Sequence, residues 1–216
     1  MQTICITGAT GFVGQGVLPA LLDAGFRVHA LVRPGSEKKL PHHPMLTAFE
    51  GDVLETEAIA RALMGSQALV HLTGIKRAET KRTGLTYEDV DLGSVLAVLP
   101  AMNKVSVKRI VLLSAADVGH SFYVRTKQRT EQAVIDAGVD WTILRPSYII
   151  GKGQRWPIIM SPFLNLLALL PGHYGNIAKR ARSVTRVQLA AAIVHALKSE
   201  TAIGKVWDVS AIRAIA

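Results

Sequence analysis

Short apolar runs alternate with amphipathic stretches along the chain, and that rhythm predicts strand–helix–strand units over a parallel sheet. The runs Gln2–Ile6, Arg27–Val32, Leu46–Phe49, Ala68–Leu72, Arg109–Leu113, Asp140–Leu144 and Lys205–Val209 read as strands. Several are almost continuously apolar, as expected of strands covered by helices on both faces. The intervening helices carry readable ends. Val13–Asp23 stops ahead of Gly25 and Thr130–Asp136 ahead of Gly138, glycines suited to the left-handed residue that ends a helix. Thr185-Arg186-Val187-Gln188 predicts a capping box opening a helix that runs to about Lys198. Pro19 predicts a kink in the first helix. One stretch breaks the rhythm: after Arg145-Pro146 come Gly151-Lys152-Gly153, an apolar helix candidate near Ile158–Leu170, and a Gly/Pro/Arg-rich loop to Ser183.

The fold class that follows is α/β, a doubly wound parallel sheet. Residues 1–216 form one domain, with 151–183 a small excursion off the sheet where such domains build their substrate side. Composition agrees: 49% of residues are hydrophobic and no low-complexity tract occurs, which excludes disorder. The single Cys5 excludes a disulfide scaffold, cannot build a metal site alone, and suits a reducing compartment. No basic leader precedes the first strand, so no signal peptide and a cytoplasmic location are expected. The longest apolar stretch, Pro157–Leu170, is about 14 residues and holds Pro162 and Asn165, too short and too interrupted to span a bilayer.

Lys and Arg number 25 against 16 Asp and Glu, a net charge of +9. This balance favours anionic partners: phosphorylated cofactors, acidic lipid or nucleic acid. The two basic concentrations, Lys76–Arg82 and Lys179–Arg186, read as solvated surface, and no specific nucleic-acid partner is expected. Weak attachment to a membrane surface or a protein partner, through the apolar segment and its basic neighbours, stays open.

The candidate chemistry begins at the first strand's end. Thr7-Gly8-Ala9-Thr10-Gly11-Phe12-Val13-Gly14 places glycines in a GxxGxxG spacing between that strand and the first helix. A pyrophosphate needs backbone N–H donors at close range and a helix amino end with partial positive charge. Side chains at the first two glycines would block that approach, and the third lets helix and strand pack closely. The second strand ends at Arg33, with no acidic residue to accept a ribose 2′-hydroxyl. Arg33, with Ser36, Lys38 and Lys39 nearby, suits a 2′-phosphate and so NADP(H) over NAD(H). Asp52 stands where a carboxylate accepts the adenine amino group, or caps the next helix together with Glu55. Leu72-Thr73-Gly74 should pass beneath the cofactor, its glycine marking a close backbone approach.

Tyr123 and Lys127 lie four residues apart, on one face of a helix. The lysine charge should draw the phenol's pKa down from about 10 toward a working range. Ser114, at the fifth strand's end, can donate to a carbonyl gaining negative charge. Glu131 continues the helix face and is expected to orient Lys127 or to pack structurally. A second pair of the same spacing, Tyr148 and Lys152, sits in a glycine-containing turn and is less suited. Asp117 and His120 are alternative proton carriers.

Together TGATGFVG, the Arg-ended second strand, Gly51-Asp52, Ser114, Tyr123/Lys127/Glu131 and Trp141-Thr142-Ile143-Leu144-Arg145-Pro146 resemble the short-chain dehydrogenase/reductase superfamily. The likeness is to its extended and atypical branches, the epimerase/dehydratase-like and NmrA-like proteins, and to the group containing the NADPH-holding accessory subunit of respiratory complex I. The resemblance implies a Rossmann fold in which Gly8, Gly11 and Gly14 hold the pyrophosphate and Thr10, Phe12 and Val13 line the loop. By the same resemblance Arg33 takes the 2′-phosphate, Asp52 and Val53 the adenine, and Leu72, Thr73 and Gly74 the adenosine side. Ser114, Tyr123 and Lys127 match the catalytic set, Lys127 also reaching the nicotinamide ribose, while Pro146, Tyr148 and Ile149 match the backbone that binds the carboxamide. Asp91 stands where many relatives carry Asn, and Gln188 where many carry Asp. The Ser114–Tyr123 spacing and the substrate-side segment are short, which speaks against sugar-nucleotide chemistry. Two functions are open: an NADP(H)-dependent oxidoreductase, or epimerase/dehydratase-like enzyme, on a small carbonyl or hydroxyl substrate; or a non-catalytic NADP(H)-binding redox sensor or assembly subunit.

Overall fold

Seven strands lie parallel in one sheet in the order β3-β2-β1-β4-β5-β6-β9, the doubly wound arrangement expected. They are β1 (Thr3–Thr7), β2 (Arg27–Val32), β3 (Leu46–Glu50), β4 (Ala68–His71), β5 (Arg109–Leu113), β6 (Asp140–Leu144) and β9 (Lys205–Trp207). A two-residue pair, β7 (Ile149–Ile150) and β8 (Val184–Thr185), stands apart from the sheet. The computed structural model describes residues 1–116, 121–151 and 182–215. The apolar helix expected near Ile158–Leu170, Lys152, Asp117 and His120 lie outside the described residues.

Helices cover both faces. On one, α1 (Gly14–Asp23), α6 (Arg186–Lys198) and α7 (Val209–Ile215) enclose a core that includes Ile4, Ile6, Leu21, Val70 and Ile193. On the other, α2 (Thr56–Leu63), α4 (Gly93–Lys104) and α5 (Phe122–Asp136) enclose Cys5, Leu69, Met102, Ile110 and Ile143. Burial on both faces explains why several of the inner strands read as almost continuous apolar runs. The alternation within β1, β4 and β5 decides which side chain serves which core. Among the described residues no helix is long and apolar enough to cross a membrane.

The helix ends follow the sequence in most places. Gly25 and Gly138 take φ of +85° and +68° just past α1 and α5. The capping box at α6 is complete: Gln188 N donates to Thr185 Oγ1 at 3.1 Å, and Thr185 N to Gln188 Oε1 at 3.0 Å.

Pro19 lies inside α1, and the carbonyl that loses its partner belongs to exposed Gln15, where water can replace the bond. Two expectations are corrected. α5 starts at Phe122, eight residues before Thr130, because Ser121 accepts from Val124 N and caps it there. The last strand stops at Trp207, since Asp208 Oδ1 accepts from Ala211 N and so starts α7 at Val209.

The strand order reverses beside β1, between it and β4, so the carboxyl ends of these two strands diverge into a crevice. Two further short elements crowd that edge: α3 (Arg77–Thr83) and a π-turn over Glu88–Leu92 that leads into α4.

Candidate functional site

The crevice is one cleft of about 720 Å³. Its floor is the turn from β1 to α1. Gly8 has φ +73°, and a Cβ there would come within 3.0 Å of the Leu72 carbonyl carbon, so β4's end presses directly on the turn. At Gly14 a Cβ would lie 2.2 Å from Gly8 O and 2.5 Å from Ala9 O, which seats α1 against the strand end. At Gly11, by contrast, a Cβ would meet only Gly8 O, at 3.2 Å, leaving the turn open toward the cleft. The amino end of α1 has neither a side-chain cap nor an acidic residue in its first turn. Its partial positive charge is therefore available to an anion, and the residues present fit a pyrophosphate.

Phe12, at the lip, sits between two cations. Lys76 Nζ lies 5.4 Å from its ring centroid and the Arg186 guanidinium 5.0 Å, and Arg186 also donates to Phe12 O at 3.1 Å. Gly151 makes room for Arg186: a Cβ there would lie 2.4 Å from its Nε. Neither cation was legible from sequence as a neighbour of Phe12, because both arrive from the starts of helices distant in the chain.

Along the cleft toward β3 come Arg33 and Lys39, then Asp52 and Val53; Ser36 and Lys38 fall outside its lining. Asp52 does not form a capping box with Glu55. Its Oδ1 accepts from Leu54 N at 2.9 Å in a tight turn, and α2 starts after Glu55 without a side-chain cap. Thr10, Val13, Leu72, Thr73 and Gly74 also line the cleft, with Pro146, Tyr148 and Ile149 closing the far end. The close approach at Gly74 is to a protein group, since a Cβ there would lie 3.0 Å from Asp91 Oδ1. Tyr148 leads into β7, its carbonyl accepting from Val184 N at 2.8 Å; its sequence partner Lys152 lies outside the described residues.

Ser114, Tyr123 and Lys127 meet on the same cleft wall, but their partners differ from the sequence expectation. Lys127 Nζ lies 2.6 Å from Asp91 Oδ1, with both side chains buried, and also donates to Leu113 O at 3.4 Å. Asp91 Oδ2 accepts from Ile75 N at 3.0 Å. Glu131 does not orient Lys127 by contact. It accepts from Ser114 Oγ and holds Arg145, whose Nε lies 3.0 Å from Oε1 and whose terminal nitrogen lies 2.5 Å from Oε2. The Tyr123 ring packs on Tyr87 at 4.8 Å between centroids and lies 5.9 Å from Lys127 Nζ.

The electrostatics follow. Burial raises the Tyr123 pKa above its ordinary value; Lys127 opposes this, but Asp91 and Tyr87 act with burial. The expected downward shift of the phenol is therefore reversed. Lys127 loses charge stability to burial, yet Asp91, and then Tyr123 and Glu131, more than offset that, and its pKa is raised. Behind the pair, His71 is pushed down to about 3 by burial and by Lys127, so it is neutral. Asp91 carried one sequence hint of burial, its place between Val90 and Leu92. The Glu131–Arg145 bond joins a helix to a strand and has no local signature.

Comparison with known proteins agrees with a dinucleotide-binding cleft. The family model described as NAD(P)H-binding matches residues 8–200. The ceramide reductase of Caulobacter vibrioides is 30% identical over 158 residues, covering 70% of this chain and 47% of that protein. The mitochondrial NADH dehydrogenase (ubiquinone) 1 alpha subcomplex subunit 9 of Arabidopsis thaliana is 30% identical over 216 residues, covering 94% and 52%. The chain thus spans about half the length of these curated relatives. In fold, the crystal structure of the oxidoreductase ylbE from Lactococcus lactis superposes with a TM-score of 0.69 at 19% identity, covering 99% of this chain and 96% of that one. With the glycine turn, the open amino end of α1 and a match over most of its length, the chain belongs to the NAD(P)H-binding family.

Proposed function

We propose that the chain is an NADP(H)-dependent oxidoreductase of the short-chain dehydrogenase/reductase type, acting on a small carbonyl or hydroxyl substrate. One observation carries this reading: Ser114, Tyr123 and Lys127 share a cleft with the glycine turn and Arg33, so proton-transfer groups and an anion cradle face one space. The ceramide reductase relative supports it.

In this reading Gly8, Gly11 and Gly14 with the amino end of α1 hold the pyrophosphate, Arg33 and Lys39 the 2′-phosphate, and Asp52 and Val53 the adenine. Leu72–Gly74 and Pro146–Ile149 flank the dinucleotide, which supplies hydride chemistry when bound. Tyr123 Oη gives its proton to the substrate oxygen and recovers one from solvent. Lys127 sets the field at that phenol, and Ser114 orients the substrate after turning from Glu131.

Tyr123→Phe is expected to remove NADPH-dependent carbonyl reduction while leaving NADPH affinity within about two-fold, since it deletes only the proton donor. Turnover that survives the change sinks the assignment. The second reading, a non-catalytic NADP(H)-binding subunit, is favoured by the Ser114 hydroxyl being engaged by Glu131 and by the complex I relative matching 94% of the chain. In that case the wild type shows no turnover for the substitution to abolish.

The cofactor preference has its own test. Arg33→Ala is expected to weaken NADPH about ten-fold or more and NADH little, the scale of one charge-assisted hydrogen bond of about 1.5–3 kcal/mol. Calorimetric titration with both nucleotides reads it; equal losses for the two would assign Arg33 no part in discrimination.

A further inference from the structure

We propose that Asp91 is a positioning residue that reserves Lys127 in an internal ion pair and so keeps Tyr123 in its neutral, proton-donating form. The proposal rests on the oxidoreductase reading above and deepens it. The π-turn over Glu88–Leu92 brings the Asp91 carboxylate under α5, where Oδ1 meets Lys127 Nζ at 2.6 Å and Oδ2 holds the loop after β4 through Ile75 N at 3.0 Å. Side-chain exposure is 7% for Lys127 and 1% for Asp91, so water screens this pair little.

A buried relay fixes the turn that carries Asp91. Thr7 Oγ1 lies 2.9 Å from His71 Nδ1, His71 Nε2 lies 3.0 Å from Ser94 Oγ, and Ser94 Oγ donates to Asp91 O at 3.2 Å. One set of directions satisfies every group: Thr7 donates to Nδ1, a neutral His71 donates from Nε2 to Ser94, and Ser94 donates to the Asp91 carbonyl. The strand that ends in the glycine turn is thereby tied to the ion pair without adding charge.

The charges around Tyr123 can be taken element by element. α5 brings Lys127 and, one turn on, Glu131, which is engaged by Arg145 from the end of β6 and by Ser114. The π-turn brings Asp91 and Tyr87, with Glu88 paired to Arg129 of α5 at the surface. β4 brings His71. Facing the phenol, then, is a cation already matched by an anion. A bare lysine would favour the phenolate; Asp91 cancels part of that pull, and burial of the ring outweighs what is left.

The consequence is one of protonation. In reduction the substrate carbonyl carbon takes a hydride from the reduced dinucleotide, which is oxidised, and its oxygen takes the Tyr123 proton. The phenolate so formed is reprotonated by solvent. The reverse reaction needs the phenolate first, so at neutral pH the resting site holds the form that reduction uses.

The test needs neither cofactor nor substrate, so its failure is distinct from failure of the oxidoreductase reading. Tyrosinate absorbance is titrated for the wild type and for Tyr123→Phe, and the difference isolates Tyr123. No Tyr123 step is expected below pH of about 10, the ordinary tyrosine value. A step near neutrality would overturn the proposal without any further variant. The same difference is then taken in Asp91→Asn, where a step is expected at least one pH unit or so lower than in the wild type, the scale of a charge uncovered within ~4–6 Å. A step in a folded Asp91→Asn that comes no lower than in the wild type overturns the proposal. The double change Asp91→Asn with Lys127→Gln leaves neither partner of this pair as an unmatched buried charge, and in it the step should return to the wild-type range; a step that stays low would assign the effect to something other than Lys127.

Discussion

Gly14→Ala is expected to reduce NADPH affinity roughly a hundred-fold or more, equal to about 2.7 kcal/mol, and to lower thermal stability as well. The added methyl would sit 2.2 Å from Gly8 O and 2.5 Å from Ala9 O. Both are backbone atoms that cannot rotate away, so either the turn shifts or the first turn of α1 unwinds. Overpacking of this kind costs about 1–3 kcal/mol, and a displacement of even a fraction of an ångström disrupts the N–H geometry that an anion requires. Gly11→Ala separates the two effects. There the methyl meets only Gly8 O, at 3.2 Å, and otherwise enters open space, so the protein should fold nearly as well yet bind NADPH about ten-fold or more weakly. Calorimetric titration and thermal unfolding of both variants check this. A Gly14→Ala protein that binds like the wild type would mean that the turn does not carry the pyrophosphate.

The contrast between those glycines shows what the sequence could and could not convey. The spacing of Gly8, Gly11 and Gly14 after an apolar strand was enough to place the turn, because only a β-strand entering a helix needs glycines there. The strands were legible for a similar reason: a sheet buried on both faces favours nearly continuous apolar runs, and β1, β4 and β5 have them. The end of the last strand was misplaced because an apolar Val209 looks the same in a strand as at the start of a helix, and the decision rests with the Asp208 cap.

At the site, membership was legible and pairing was not. Ser114, Tyr123 and Lys127 line one cleft, as their positions at a strand end and on a helix suggested. The sign of the Tyr123 shift was not accessible. It depends first on how deeply the ring is buried and then on Asp91, which sits 36 residues before Lys127 in the chain and reaches it only through the π-turn. Helical spacing offered Glu131 as the lysine's partner, but Arg145 and Ser114 compete for that carboxylate across the β5–β6 ends. Local periodicity sees neighbours on one helix, whereas buried charges are matched in three dimensions.

Glu131→Ala is expected to destabilise the protein by about 3 kcal/mol, the lower end of the range for breaking a buried pair from one side. Glu131 is 3% exposed and accepts three Arg145 bonds of 3.0, 3.1 and 2.5 Å together with the Ser114 hydroxyl. The lower end applies because the Arg145 side chain is 33% exposed, so water can serve part of the guanidinium once the carboxylate is gone. For a chain of this length that corresponds to a fall in Tm of roughly 6–12 °C. Glu131→Gln, which keeps the volume and an acceptor oxygen, should lose less. The paired replacement Glu131→Leu with Arg145→Met should recover most of the loss, since neither charge is then buried. Thermal unfolding of the three variants reads the series, and a Glu131→Ala protein melting with the wild type would show that this pair does not hold the site. The pair matters to function through what it joins: Arg145 N donates to Trp207 O at 2.8 Å, Ser114 N to Leu144 O at 2.8 Å, and Glu131 belongs to the helix that carries Tyr123 and Lys127. One carboxylate therefore fixes the helix bearing the proton donor to the strand ends that form the cleft wall, and its removal should loosen Tyr123 as well as release the Ser114 hydroxyl.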